Sequence, residues 1–316
     1  MANPLILDTD GGVDDAQALY MLIAGGRVPM AVTTVFGNVT LADATANMVA
    51  LLDLAGVDVP VHAGADRPLN GTMIDARHVH GDSGLGTAAR PATTRRPAGH
   101  DGAVFLRDTL RAAADAGRRV DVLMIGPLTN LALALRLDPG IVAGIGQLTV
   151  MGGTLHGRGN TTPAAEFNVY ADPEAARIVL TCGADTLIAP WESCLAHAMD
   201  GARMEALFAG LPDSPYTRLC HDLARHARTV AEGFGRGDSF AFVDPLAAAA
   251  VVAPEVVTRT LSASVEVALA PGLTRGMLVV DPAGRLGTPP VRLIEAADPE
   301  GLVALYAASL TPPRGR

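Results

Sequence analysis

The chain has 316 residues, 49% of them hydrophobic, which is enough to build a sizeable core in one large α/β domain or two small domains. Its formal net charge of −9 argues against a nucleic-acid partner, because binding to phosphates needs clustered cations. All 24 basic residues are arginine, and the absence of lysine excludes Schiff-base aldolases, pyridoxal-phosphate enzymes and P-loop proteins, whose chemistry depends on a lysine amine.

Short apolar runs alternate with helical stretches through the first 190 residues. The helical spacing of apolar residues predicts helices at 14–24, 40–55, 128–137 and 172–182. The apolar runs predict strands at 4–7, 30–36, 59–62, 120–125, 147–151 and 186–189. This alternation predicts an α/β fold with an open, mostly parallel central sheet flanked by helices.

The last third of the chain has a different pattern. A helix-rich stretch at about 201–231 precedes three predicted strands, at 262–270, 276–281 and 290–295, and a final helix at 299–309. Proline and glycine turns join these strands, as expected for an antiparallel arrangement. Because no linker or repeat interrupts the chain, we expect a single domain, residues 1–316, with a small antiparallel C-terminal addition.

Two long segments, 66–97 and 152–167, fit neither a strand nor a helix. Loops of this length in a compact domain are usually functional or disordered. A parallel sheet binds its ligands outside the carboxyl ends of its strands. The turn after Leu7 lies at such an end, so we expect the functional site there.

The sequence carries no sign of export or membrane insertion. No apolar run approaches the roughly 20 residues that a membrane-spanning helix needs, and the N-terminus lacks the features of a signal peptide. The three cysteines form no CxxC pair. We therefore expect a cytoplasmic protein without a membrane partner.

Four carboxylates, Asp8, Asp10, Asp14 and Asp15, fall within eight residues directly after the first predicted strand. A helix cap would explain one of them, but not four. Their mutual repulsion requires a cation, and carboxylate oxygens favour Ca²⁺ or Mg²⁺ over zinc. The cluster predicts a cation-dependent hydrolase, in which a free carboxylate accepts a proton from the attacking water.

Two other types of site share part of this motif. Haloacid-dehalogenase-type phosphatases carry Asp-x-Asp-x-Thr after the first strand, but Gly12 stands at the threonine position and the required lysine is missing. A dinucleotide site needs Gly-x-Gly-x-x-Gly at this turn, which the chain lacks. Neither type fits the sequence.

The segment 8–19 resembles the signature of the inosine–uridine-preferring nucleoside hydrolases. Further matches follow in order at residues 36–39, 80–84, 126–130, 151–153, 166–173 and 244–247. Together they span most of the chain, and the combination is highly specific. The resemblance implies an open α/β fold and hydrolysis of the N-glycosidic bond of a ribonucleoside, which gives ribose and a free base.

The same resemblance implies a role for individual residues. Asp14 would be the general base, and Asp8 would orient its neighbours. Ca²⁺ would be bound by the side chains of Asp10, Asp15 and Asp244 and by the main-chain carbonyl of Ile125. The residues implied in substrate binding are Asn38, His80, Met151, Asn160, Glu166 and Asn168. A homodimer or homotetramer is the implied assembly.

One position departs from the family pattern. Many members carry histidine directly before the late Asp-Pro, where it can protonate the leaving base, but this chain has Val243 before Asp244. The preferred base therefore stays open. So do two alternatives: a hydrolase specialised for an unusual or modified N-riboside, and a non-catalytic nucleoside- or ribose-binding protein. Other residues weighed for contact with the base are His156, His221, His226 and Trp191.

Overall fold

The computed structural model describes residues 2–313. Its strands are β1 (Leu5–Thr9), β2 (Ala31–Thr34), β3 (Val61–Ala63), β4 (Val120–Met124), β5 (Ile145–Met151), β6 (Asp185–Ala189), β7 (Ala198–Asp200), β8 (Ser239–Ala241), β9 (Val257–Val267), β10 (Leu278–Asp281) and β11 (Pro290–Ala297). Its helices are α1 (Val13–Ala24), α2 (Leu41–Leu54), α3 (Arg77–His80), α4 (Gly102–Asp115), α5 (Thr129–Leu137), α6 (Phe167–Ala171), α7 (Pro173–Leu180), α8 (Trp191–Ala196), α9 (Gly201–Phe208), α10 (Pro215–Gly233), α11 (Asp244–Val252) and α12 (Pro299–Ala308).

In the described chain, nine strands form one sheet in the order β10-β9-β11-β6-β5-β4-β1-β2-β3. From β11 to β3 every neighbouring pair is parallel, whereas β9 is antiparallel to both β11 and β10. The predicted fold class is confirmed. The antiparallel strands extend the central sheet, because β11 pairs with β6 through Arg292 and Leu293.

Both faces of the sheet are buried. Successive side chains of a strand point to opposite faces, so Leu5 and Leu7 of β1 pack in one hydrophobic cluster and Ile6 packs in the other. The first cluster includes residues of α1, α2, α10, α11 and α12, and the second includes residues of α4, α5 and α7. Helices on both faces explain why apolar residues occupy consecutive positions in the central strands, such as Leu5, Ile6 and Leu7 of β1.

Among the helices that were not predicted from the sequence, α4 and α11 are the longest, and they were missed for different physical reasons. In α4 the buried side chains form a narrow stripe of Leu106, Leu110 and Ala113 among charged and small residues. In α11 the sequence is apolar on all sides because the helix packs against both α1 and the strands β4–β6, which removes the helical periodicity. No described helix is long and apolar enough to cross a membrane.

The segments that follow β1, β2, β4 and β5 carry most of the predicted site residues. Because these strands are parallel, their carboxyl ends meet at one edge of the sheet. Asp244 reaches the same edge from the start of α11. Residues far apart in the sequence are therefore gathered at one place by the topology.

Candidate active site

The turn between β1 and α1 fixes the position of Asp15. Gly11 has φ +71°, and a Cβ atom there would lie 2.5 Å from the Ala44 Cα atom, so only glycine fits. Beyond this turn the Gly12 N–H donates to the Asp15 carboxylate at 2.7 Å, and the Thr9 hydroxyl donates to its other oxygen. Asp15 is fully buried, so it is held rigidly at the end of the strand.

Asn38 connects two of the acidic side chains. Its backbone N–H and its side-chain amide donate to the two Asp10 carboxylate oxygens at 2.7 and 2.9 Å. The same amide nitrogen also donates to Asp15, at 3.0 Å. Both oxygens of Asp10 therefore already have a partner, and Asn38 holds Asp10 beside Asp15.

Three carboxylates come close enough to share a cation. Asp14, Asp15 and Asp244 each place a carboxylate oxygen within 4.8 Å of the other two. The sequence placed Asp10 rather than Asp14 among the metal ligands, whereas Asp14 belongs to this group and Asp10 lies next to it. Three buried or half-buried carboxylates form a donor set of hard oxygens, which fits Ca²⁺ or Mg²⁺.

The electrostatics of these carboxylates also fit a cation. Burial, together with repulsion from neighbouring aspartates, raises the pKa values of Asp10 and Asp244 well above their usual range. Burial raises the pKa of Asp14 to about 6. A bound cation would offset both the loss of solvation and the repulsion, and would favour the charged forms.

Asp14 and His80 face each other at the wall of the site. The Asp14 Oδ1 atom has no hydrogen-bond partner within residues 2–313 and lies 3.6 Å from His80 Nδ1. His80 Nδ1 accepts a hydrogen bond from the Val13 N–H at 3.2 Å, and burial lowers the pKa of His80 to about 4. The imidazole is therefore neutral at pH 7, and Asp14 retains a free oxygen that can accept a proton.

Glu166 and Asn168 form the opposite side of the site. The Glu166 carboxylate caps α6 and accepts from the N–H groups of Gly153 at 2.7 Å and Asn168 at 2.8 Å. The Asn168 amide donates to the main-chain carbonyls of Met151 at 3.1 Å and Ile125 at 3.3 Å. These contacts join the ends of β4 and β5 into one polar surface.

A single cavity of about 660 Å³ joins the two sides. Asp10 and Asp15 lie behind its wall. The predicted site residues that line the cavity are Asp14, Asn38, His80, Ile125, Met151, Asn160, Glu166, Asn168 and Asp244. Trp191 and His226 also line it, whereas His156 and His221 do not. Gln17 and Arg236 are among the further lining residues that the sequence analysis did not single out.

Gln17 contributes a buried amide to this cavity. The residue is 4% exposed, and its Nε2 atom has no hydrogen-bond partner in the part of the chain that is described. An unpaired buried donor destabilises a protein by about 1–3 kcal/mol. We expect Gln17→Leu to raise the free energy of unfolding by a similar amount, measured by urea denaturation of the metal-free protein. A lower free energy of unfolding in Gln17→Leu would contradict the absence of a hydrogen-bond partner for the Gln17 amide.

The stability of the metal-free protein should decrease as pH rises between about 4 and 7. Burial raises the pKa of Asp8 from 3.8 to about 7, and that of Glu166 from 4.5 to about 7. In this window the folded state keeps protons that the unfolded state has lost, so stability falls as pH rises. Thermal melting of chelated protein at pH 5 and pH 7.5 checks this. A higher Tm at pH 7.5 would contradict it.

Comparison with known proteins places this chain in a family. A family model described as inosine-uridine preferring nucleoside hydrolase matches residues 5–304. The inosine-uridine preferring nucleoside hydrolase of Crithidia fasciculata is 34% identical, over 89% of this chain and 88% of that protein. The pyrimidine-specific ribonucleoside hydrolase of Shigella flexneri is 34% identical, over 98% of this chain and 99% of that protein. The structure of a plant nucleoside hydrolase superposes with a TM-score of 0.89 at 31% identity, covering 98% of this chain and 99% of that one.

Proposed function

Because the chain belongs to the inosine-uridine preferring nucleoside hydrolase family, we propose that it hydrolyses the N-glycosidic bond of a ribonucleoside with Ca²⁺ as cofactor. The observation that carries the proposal is the group of three carboxylates within 4.8 Å of one another at the wall of a 660 Å³ cavity. The cavity is large enough for a small-molecule ligand. The products are ribose and a free base.

The cofactor assignment rests on the donor atoms. Asp15 and Asp244 would hold Ca²⁺, together with Asp10 and the Ile125 carbonyl, and all of these donors are oxygen atoms. When bound, the ion supplies positive charge that orients the ribose hydroxyls and the attacking water. Asp10 would have to share its oxygens between this ion and Asn38, which donates to both of them.

Asp14 is the proposed general base. Asp14 lines the cavity and belongs to the group of three carboxylates, and its Oδ1 atom has no hydrogen-bond partner among the described residues. A general base must lie within hydrogen-bond reach of the proton that it removes, so the proposal requires the attacking water to lie beside the Asp14 carboxylate. A protein that only bound nucleosides would need no such base, which argues against the non-catalytic alternative.

The remaining polar residues are complementary to the charge that develops on the sugar. Breaking the bond between ribose and base leaves positive charge on the ribose, and groups that favour this charge lower the barrier. Glu166 and the amide oxygens of Asn38, Asn160 and Asn168 are the proposed ribose contacts. Three of these four side chains are buried, and Asn160 lies on an exposed loop at the cavity.

The preferred base is a separate question. The Crithidia relative is named for inosine and uridine, and the Shigella relative is named for pyrimidines. Val243 lines the cavity and cannot donate a proton. This favours, as a second candidate, a hydrolase specialised for an N-riboside whose leaving group needs no acid.

The test of the cofactor assignment is ribose release by chelated protein after addition of Ca²⁺, Mg²⁺ or Zn²⁺ separately. We expect chelation to abolish release and Ca²⁺ to restore it. Full activity of the chelated protein, or restoration by Zn²⁺ alone, would contradict the assignment.

Three accompanying proposals rest on the family resemblance and the continuous sheet. Residues 1–316 would form one nucleoside-hydrolase-like domain, the assembly would be a homodimer or homotetramer, and the protein would act in the cytoplasm. Sedimentation velocity tests the assembly, and a monomer at micromolar concentration would contradict it.

A further inference from the structure

Arg236 places a positive charge at the wall of the cavity. The hydrolysis described above gives this charge no role. Its guanidinium carbon lies 5.4 Å from the centroid of the Trp191 ring and 5.3 Å from that of Phe234. These distances are typical of cation–π contacts. All three residues line the cavity, so the two aromatic rings position the guanidinium at its wall.

Within residues 2–313 the guanidinium of Arg236 has no carboxylate partner and donates no hydrogen bond to the protein. Arg228, on the preceding helix α10, forms ion pairs with Glu205 and Asp238. Partial desolvation lowers the pKa of Arg236, but arginine stays charged in proteins. Its N–H donors are therefore available to a ligand in the cavity.

The position directly before Asp244 supplies no acid for the leaving base. Val243 occupies the position before Asp244, and its side chain cannot donate a proton. The Nδ1 atom of His80 accepts a hydrogen bond from the Val13 N–H at 3.2 Å, so this atom carries no proton to give to the base. When the glycosidic bond breaks, the electron pair goes to the base, and negative charge develops there unless a proton or a cation meets it.

We propose that Arg236 contacts the leaving base and stabilises the negative charge that develops on it, in place of an acid at position 243. The inference rests on the proposed function. The bond between the ribose C1′ atom and the base nitrogen breaks, and its electron pair stays on the nitrogen. Water adds to C1′ and gives one proton to Asp14. The base leaves as an anion beside the guanidinium and then takes a proton from solvent.

This arrangement selects a class of substrate. Arginine donates hydrogen bonds and accepts none, so it recognises the acceptor atoms of a base. Among bases that leave as anions, those whose anion is least stable by itself gain most from a fixed positive charge. Bases that leave only after protonation gain little, because a cation disfavours a second positive charge nearby.

The experiment compares two leaving groups in wild type, Arg236→Met and Arg236→Lys. One substrate is the nucleoside that the wild type hydrolyses fastest, and the other is p-nitrophenyl riboside, whose phenolate leaves without assistance. A fully enclosed donor contributes about 10²- to 10³-fold to kcat. Since Arg236 lies at an exposed position, we expect Arg236→Met to lower kcat for the nucleoside by about 10- to 100-fold. The expected change for p-nitrophenyl riboside is less than about threefold, within the ordinary effect of a surface substitution.

Arg225→Met is the matched control, because Arg225 lies on α10, pairs with Asp222 and does not line the cavity. Arg225→Met should leave kcat for both substrates unchanged. Arg236→Lys should retain part of the activity on the nucleoside. Equal loss on both substrates, no loss, or a change in KM alone would overturn the role of Arg236 while leaving the hydrolase intact. A wild type that hydrolyses only p-nitrophenyl riboside would also overturn it. A folded wild type inactive on both would overturn the proposed function as well.

Discussion

Asp14→Asn should lower kcat for ribonucleoside hydrolysis by about 10²- to 10⁴-fold, the range expected for loss of a general base. The amide keeps the size of the side chain but cannot accept the proton of water. Asp14 lines the cavity, and its Oδ1 atom lacks a hydrogen-bond partner in the described structure. Steady-state kinetics on the preferred nucleoside measure the change, and exposed Asp108→Asn on α4 is the control that should leave kcat unchanged.

Calcium affinity separates the two roles open to Asp14. The residue belongs to the group of three carboxylates, so its substitution could act by weakening the metal site instead. If Asp14 is the base, the Asn variant binds Ca²⁺ with nearly the wild-type Kd and loses only kcat. A Kd raised in proportion to the loss of activity would assign Asp14 to the ligands and contradict its role as the base.

Asp244→Asn should abolish activity and yet stabilise the metal-free protein. Asp244 is 2% exposed, and burial and repulsion from Asp14 raise its pKa well above the usual range. Replacing this buried, repelled carboxylate by an uncharged amide should stabilise the metal-free protein, so its Tm measured in a chelator should rise.

The response to Ca²⁺ should change in the opposite direction. A ligand that binds only the folded state stabilises it by about 2.7 kcal/mol when its free concentration is 100 times the Kd. We expect wild type to gain Tm on addition of Ca²⁺ and Asp244→Asn to gain little. A variant that is less stable than wild type in chelator, or that keeps the full calcium response, would contradict the assignment of Asp244.

The sequence predicted those parts of the site that depend on local residue density or on matched motifs. The aspartates after β1 stand out because four of them fall within eight residues. Asn38, Glu166, Asn168 and Asp244 were found through the resemblance, and the parallel sheet brings them to one edge. Which aspartate binds the metal and which one acts as the general base depends on the orientation of each carboxylate. The spacing of the aspartates along the chain does not determine this orientation.

Gln17 and Arg236 could not be found in this way. Nothing in its sequence context distinguishes Gln17, whose signal is the lack of a partner for a buried amide. Arg236 is one of 24 arginine residues, and only its position over Trp191, 45 residues earlier in the chain, separates it from the others. Helix α11 was not predicted because it is buried on all sides. It has no polar face, so its sequence lacks the helical alternation of polar and apolar residues.

The most direct test of the central claim is the release of reducing sugar from a panel of ribosides by wild type and Asp10→Ala side by side. The panel contains uridine, cytidine, inosine, adenosine, guanosine and p-nitrophenyl riboside. We expect ribose release from at least one nucleoside by the wild type, and its loss in the variant, since Asp10 is a proposed calcium ligand that Asn38 holds in place. No release from any riboside by folded, calcium-loaded wild type would contradict it, as would equal release by Asp10→Ala.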